Sequence, residues 1–144
     1  MSEAILYRTS YEVEAQNFAV AGEVSSAMKK QLRQLGVRSD VVRRIAIAAY
    51  ECELNLVIHS LGGAMSLDIT QEDITLRSKD RGPGIADIDL AMREGFSTAS
   101  EQVRLMGFGA GMGLPNMRRC CDHFSIASKV PEGTEICMQF QLSK

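Results

Sequence analysis

Residues 39 to 60 form the longest predicted helix of the sequence, and the middle of this helix, Ile45–Tyr50, is apolar on nearly every side. Ser39 or Asp40 is a suitable N-cap, and the pair Gly62–Gly63 marks the end. A helix that is apolar all round is normally covered by other elements. We therefore expect this helix to be largely buried within a folded domain.

The composition narrows the class of protein. The chain has 144 residues, which predicts one domain over residues 1–144, and its 45% apolar and 24% charged residues argue against disorder. The net charge is −2, so the chain lacks the excess of basic residues that nucleic-acid binders carry. Apolar runs are shorter than the roughly 18 residues of a membrane span, and the acidic start is atypical of a signal peptide. We predict a cytoplasmic protein without nucleic-acid or membrane partners.

Hydrophobic periodicity predicts an α+β fold. Alternating runs predict five strands, and spacings of three and four residues predict helices. In chain order these are strand 5–14, helices 17–35 and 39–60, strands 64–70 and 73–79, helix 88–93, a mobile loop 95–113, helix 114–121, and strands 124–129 and 134–142. This order predicts a two-layer α/β sandwich, with helices covering one face of a mixed, mostly antiparallel sheet.

The cysteines do not form a recognisable ligand pattern. Cys52, Cys120, Cys121 and Cys137 lack the C-x-x-C spacing of zinc sites. Free cysteine is commonly buried, so we interpret the adjacent pair Cys120–Cys121 as two small helix residues, one of them buried, in a reducing compartment. The adjacent pair Cys120–Cys121 leaves a redox or metal role as the alternative.

Three polar residues share one face of the long helix. Glu51, Asn55 and His59 follow at intervals of four, and unpaired polar burial is costly. The oxygen of Asn55 suits Mg²⁺, and Glu51 can deprotonate a hydroxyl or a water. The alternative is a solvated polar face, with His59 placed favourably at the negative end of the helix dipole.

A second group follows a predicted strand at Asp80-Arg-Gly-Pro-Gly84. Its two glycines let the backbone approach a flat ligand, while Pro83 stiffens the turn. The carboxylate of Asp80 can accept a hydrogen bond from an exocyclic amine such as adenine N6. The alternative is a plain turn.

The third group is the run from Gly107 to Gly113, with glycine at every second position before a predicted helix. Such a run exposes backbone N–H groups at a helix N-terminus, which favours phosphates. It is neither a Walker loop nor a dinucleotide fingerprint. The alternative is a flexible linker.

Together, E-x-x-x-N, D-x-G-x-G, the glycine-rich run and the late Gly133–Thr134 resemble the Bergerat ATP-binding fold of gyrase, Hsp90, histidine kinases and MutL. The resemblance covers Val41 to the C-terminus. Within this family, residues 80–98 and 113–119 are similar to the stand-alone serine/threonine kinases of bacterial sigma-factor control. The stress-module switch kinases are the closest class.

The resemblance implies a role for each matching residue. Glu51 is the implied general base, Asn55 the Mg²⁺ ligand that holds the metal against the phosphates, and Asp80 the group that reads adenine. The implied supporting residues are Gly82, Gly84 and Thr134 around the adenine, and Gly109, Gly111, Gly113 and Leu114 around the phosphates.

The implied activity is transfer of the ATP γ-phosphoryl group to a serine or threonine of a small antagonist-type regulatory protein. A sigma factor or a phosphatase is a further candidate partner, and a homodimer a candidate assembly. The alternatives are an ATP/ADP-dependent binding module that sequesters its partner without kinase turnover, and a hydrolysing ATPase of the gyrase type.

Overall fold

The computed structural model describes residues 5–85, 87–93 and 113–142. The strands are β1 (Tyr7–Val13), β2 (Gly63–Ile69), β3 (Asp73–Asp80), β4 (His123–Lys129) and β5 (Gly133–Gln141). The helices are a 3₁₀ turn (Phe18–Val20), α1 (Glu23–Gln34), α2 (Ser39–Ile58), α3 (Ile88–Ala91) and α4 (Gly113–Cys120). Each predicted strand and helix is present with ends shifted by a few residues, except that the helix predicted over residues 17–35 is divided into two segments. The predicted loop 95–113 lies outside the described residues, except for Gly113, which begins α4.

The strands form one sheet in the order β1-β2-β3-β5-β4. All four neighbouring pairs are antiparallel, so the described sheet contains none of the parallel pairing that a mixed sheet would have. Two hairpins, β2–β3 and β4–β5, join side by side through β3 and β5. This register places the ends of β3 and β4 beside the start of β5.

One face of the sheet packs against the helices. Its inward side chains include Met65, Leu67, Leu76, Met138 and Phe140, all buried, and they form a single core with the apolar side of α2. Alternate residues point outward, as the period of two in a strand requires. The expected two-layer sandwich is therefore confirmed.

The outward face of the sheet is polar. Asp68 of β2 accepts hydrogen bonds from Arg8 Nε at 2.8 Å and Arg77 Nη1 at 3.0 Å, one from each neighbouring strand. Both arginine side chains are at least half exposed, so solvent screens these ion pairs and they stabilise the fold only modestly.

The helix predicted over residues 17–35 differs from the observed structure. A 3₁₀ turn ends at Val20, and α1 begins only at Glu23, after Gly22 with φ +101°. Glycine is favoured at this backbone angle because a side chain would clash there. Gly22 therefore separates two helical segments, although its spacing fits one continuous apolar stripe.

Helix α2 runs from Ser39 to Ile58 between α1 and α4. Arg38 is the N-cap residue, one position before the expected caps. Val41, Ile45, Ala49, Cys52 and Leu56 are buried, as the apolar pattern predicts. Ile47 and Tyr50 are exposed, so the middle of the helix is buried on one side and not all round. No described helix combines the length and the hydropathy that a membrane crossing requires.

Candidate functional site

The end of the sheet carries one half of the site. Asp80 ends β3, and its Oδ1 accepts hydrogen bonds from the backbone N–H of Gly82 at 3.0 Å and of Thr134 at 2.9 Å. Among the described residues, both of these bonds end on Oδ1 and leave Oδ2 as the acceptor available to a ligand. The predicted pair of Asp80 and Thr134 is thus brought together.

Gly82 and Gly84 adopt positive φ angles of +119° and +89°. A Cβ at Gly82 would lie 2.6 Å from the Pro131 carbonyl oxygen, and one at Gly84 would lie 2.9 Å from the Lys129 carbonyl oxygen. Both distances are too short for a real side chain. These glycines therefore let the turn pack against the β4–β5 hairpin, and whether they also approach a ligand stays a prediction.

Ser128 of β4, which sequence reasoning missed, joins the same cluster. Its Oγ lies 2.8 Å from Thr134 Oγ1 and 3.3 Å from the Gly133 carbonyl oxygen, and it accepts a hydrogen bond from the Ile85 N–H at 2.6 Å. Ser128 and Thr134 are register partners. In the sequence Ser128 is one polar residue of an alternating strand, and nothing there links it to the Asp80 turn.

The second half of the site lies where α2 meets α4. A Cβ placed on Gly113 would lie 3.0 Å from Glu51 Oε2 and 3.4 Å from Asn55 Oδ1. The start of α4 therefore faces both polar side chains of α2, and the absence of a side chain at Gly113 keeps the space between them open. The predicted group of Glu51, Asn55 and Gly113 is brought together.

The environment of Glu51 changes its acidity. Burial raises the pKa of its carboxyl above the ordinary glutamate value, and a side-chain hydrogen bond with Asn116 opposes that rise. Asn116 Oδ1 accepts a hydrogen bond from Arg119 Nη2 at 2.5 Å, which leaves the Asn116 amide to donate. A raised pKa beside a specific partner is typical of functional carboxylates.

Hydrogen bonds between loops connect the two halves. The N–H of Leu61, just after α2, donates to the Gly82 carbonyl at 2.8 Å, and the Arg81 N–H donates to the Gly62 carbonyl at 2.9 Å. The turn that carries Asp80 is thereby fixed to the end of the helix that carries Asn55.

The remaining predicted residues have different outcomes. Leu114 is 7% exposed and packs into the core, so its side chain supports the start of α4 from behind. Gly109 and Gly111 lie outside the described residues. Burial lowers the pKa of His59, which favours the neutral imidazole and weakens the expected dipole interaction. All four cysteines are free, with Cys52 buried.

Residues 40–144 match the model of the histidine kinase-, DNA gyrase B-, and HSP90-like ATPase family. The chain belongs to this ATPase family. Membership implies ATP binding, and it confirms the resemblance that the sequence motifs indicated.

Two relatives of the ATPase domain have regulatory names. Serine/threonine-protein kinase RsbT of Bacillus subtilis (strain 168) is 33% identical over 108 residues, which cover 72% of this chain and 75% of that protein. Anti-sigma F factor of Bacillus licheniformis is 32% identical over 119 residues, which cover 78% of each chain. These relatives match the class that the sequence motifs indicated.

A solved structure shares the fold. The mycobacterial sensor histidine kinase MprB aligns over 94% of this chain and 97% of its own, with a TM-score of 0.53 and 16% sequence identity. At this identity the match supports the ATPase fold alone, and it confirms the predicted fold class.

Proposed function

We propose that this chain is an ATP-dependent serine/threonine protein kinase that acts as a regulatory, anti-sigma-type switch. It transfers the γ-phosphoryl group of ATP to a serine or threonine of a small regulatory protein. The observation that carries the proposal is the approach of Gly113 to Glu51 and Asn55, since it places a half-buried carboxylate and an amide oxygen at the start of a helix. The relatives' names, a kinase and an anti-sigma factor, support the same activity.

Each residue has a role in this proposal. Asp80 accepts a hydrogen bond from the exocyclic amine of adenine through Oδ2, with Thr134 beside it and Gly82 and Gly84 shaping the turn. The backbone at Gly113 and Leu114, together with Gly109 and Gly111, binds the phosphates. Glu51 accepts the proton of the attacking hydroxyl, and burial suits it to this task because it raises the carboxyl pKa toward the working pH.

The chain's oxygen donors fit Mg²⁺ bound together with a nucleotide. In the described residues no three His, Cys, Asp or Glu side chains group as a metal site, so a cage made of protein ligands alone is not expected there. Mg²⁺ usually combines one or two protein oxygens with water and substrate phosphates, which suits a single Asn55 oxygen. The ion would neutralise phosphate charge during transfer.

The wider proposal concerns the chain and its setting. One sheet and one core support a single domain over residues 1–144. Four free cysteines suit the reducing cytoplasm. The proposed partners are the antagonist-type substrate and, as further candidates, a sigma factor or a phosphatase, with a homodimer as the candidate assembly.

A transfer assay tests the proposal. The protein is incubated with Mg²⁺, ATP labelled on the γ-phosphate and an extract of the source cell, and labelled proteins are mapped by mass spectrometry. We expect one small protein labelled on serine or threonine. Glu51→Ala should lower labelling by about 10²–10⁴-fold while nucleotide affinity persists.

Glu135→Ala is the matched control, because Glu135 is an exposed carboxylate on the outward face of β5. If no protein of the extract is labelled, and a partner is retained only in the presence of one nucleotide, the chain is a binding module and not a kinase. Equal labelling by Glu51→Ala and wild type would remove Glu51 from the role of base.

A further inference from the structure

The hydroxyl of Ser128 has one proton and three neighbours. The Ile85 N–H donates to its oxygen at 2.6 Å, so the remaining contacts are with Thr134 Oγ1 at 2.8 Å and the Gly133 carbonyl oxygen at 3.3 Å. A hydroxyl donates one hydrogen bond. Ser128 can therefore give its proton to Thr134 or to Gly133, but not to both.

The distances favour the contact with Thr134 as the hydrogen bond of this hydroxyl, and the geometry allows either of the two hydroxyls to be its donor. An O–H···O hydrogen bond usually spans about 2.5–3.0 Å, which includes the contact with Thr134 and excludes the longer one with Gly133. When Ser128 donates to Thr134 Oγ1, the proton of Thr134 points elsewhere. Thr134 then faces its other neighbours as a hydrogen-bond donor.

Thr134 stands next to the carboxylate that the proposed function assigns to adenine. Its own N–H donates to Asp80 Oδ1 at 2.9 Å, so Thr134 and Asp80 lie side by side at the end of the sheet. Adenine presents a donor at N6 and an acceptor at N1, side by side on its Watson–Crick edge. An acceptor from Asp80 beside a donor from Thr134 is complementary to that edge.

We propose that Ser128 is the donor of this bond and a specificity-determining residue of the nucleotide site, because it turns the Thr134 hydroxyl into a donor toward adenine N1. The proposal rests on the proposed ATP site and adds the source of its base selectivity. A water between Thr134 and the base transmits the same polarity, since it accepts from Thr134 and donates to N1. Ser128 acts through Thr134 and is a positioning residue.

The test is a thermodynamic cycle in which one side chain of the protein and one atom of the ligand are removed separately and together. Calorimetry compares ATP with 1-deaza-ATP, which keeps the N6 amine and lacks the N1 acceptor, on wild type, Ser128→Ala and Ser128→Thr. Wild type should prefer ATP about tenfold, the size of one hydrogen bond. Ser128→Ala should reduce that preference to within about twofold of equal affinity, and Ser128→Thr should restore it.

A purely structural role gives a different result. If Ser128→Ala lowers both affinities and keeps the wild-type preference, Ser128 only supports the fold and the proposal is overturned. Equal wild-type affinity for the two nucleotides also overturns it. Ser125→Ala is the matched control, since Ser125 lies on the same strand with its side chain on the outward face. Every measurement in this test is of nucleotide binding. A protein that binds ATP but transfers no phosphate would therefore contradict the proposed kinase function without affecting the result for Ser128.

Discussion

The carboxylate of Glu53 accepts a hydrogen bond from the backbone N–H of Gly22, with 2.9 Å between Oε2 and N, and so joins α2 to the start of α1. The N–H groups of Val24 and Ser25 donate to the same carboxylate at 3.1 and 2.9 Å. Glu53 is 2% exposed, and a charge so deeply buried needs partners of this kind. The first N–H groups of a helix lack partners within the helix, and this distant carboxylate supplies them.

Glu53→Ala should therefore destabilise the fold by roughly 3 kcal/mol, because three N–H groups, two of them partly buried and that of Ser25 buried, lose their acceptor. Glu53→Gln keeps the size but places an amide donor against N–H donors, so it should also destabilise. Chemical denaturation measures both. The control is Glu23→Ala, an exposed acid in the first turn of α1, with an expected loss under about 1 kcal/mol. Equal losses at positions 53 and 23 would contradict the capping role.

The fold was largely predictable because its signals are local. The alternation of β2 through β5 and most of the apolar residues of α2 follow from burial on one face, and burial is encoded in short windows. The exposure of Ile47 and Tyr50 was not predictable in this way, since both are apolar. The boundary at Gly22 was not predictable, since it depends on Glu53, a residue 31 positions away. The two glutamates of α2 look alike in sequence, yet Glu51 faces α4 and Glu53 faces α1.

The site was predictable where motif order carried the signal, and less so where tertiary contacts did. Asp80 and Thr134 meet because β3 and β5 are neighbours, which the two predicted hairpins alone do not specify. Ser128 belongs to the site because it contacts Thr134, and Asn116 belongs to it because it contacts Glu51. The spacing of these residues in the sequence predicts neither contact.

Asp80→Asn should abolish the preference for adenine with little loss of stability. The asparagine oxygen can keep the bonds from the Gly82 and Thr134 N–H groups, while its NH₂ replaces the free acceptor and opposes the adenine amine. We expect ATP affinity to fall about tenfold or more, with GTP affected less. Calorimetry with both nucleotides measures this. A variant that keeps the wild-type ratio would place the adenine elsewhere.

Asp80→Ala separates the two duties of this side chain. It removes the acceptor of both N–H groups as well as the ligand contact, so it should lower both stability and ATP affinity. A thermal unfolding midpoint equal to that of Asp80→Asn would show that the turn does not depend on the Oδ1 hydrogen bonds.

Asn55→Ala should remove the part of nucleotide affinity that depends on Mg²⁺. The amide oxygen of Asn55 faces the start of α4 beside Glu51, where it can join a cation to bound phosphates. ATP binding is measured with Mg²⁺ and with a chelator, and only the first value should fall. Asn55→Asp, which keeps an oxygen ligand, serves as the control and should retain the Mg²⁺ effect. Equal losses in both buffers would assign Asn55 a structural role.

On the acid side, the rate of phosphoryl transfer should begin to fall at a pH above the pKa of an exposed glutamate. Burial raises the pKa of Glu51, and the base works only when it is ionised, so the rate declines as the pH drops through this raised value. The native state also holds this proton more tightly than the unfolded chain does. The corresponding contribution to stability is therefore lost as the pH rises through the same window, and Glu51→Gln should be more stable than wild type at neutral pH.

Asn116→Ala should shift the decline of the transfer rate on the acid side to still higher pH. The hydrogen bond from Asn116 stabilises the ionised carboxylate and lowers its pKa, so removing it leaves burial unopposed. Arg118→Ala, on the exposed side of the same helix, should leave the profile unchanged. Rate profiles of the three proteins between acid and neutral pH make the comparison. If the rate of Asn116→Ala declines at the same pH as that of wild type, or at a lower pH, this side chain does not lower the pKa of Glu51.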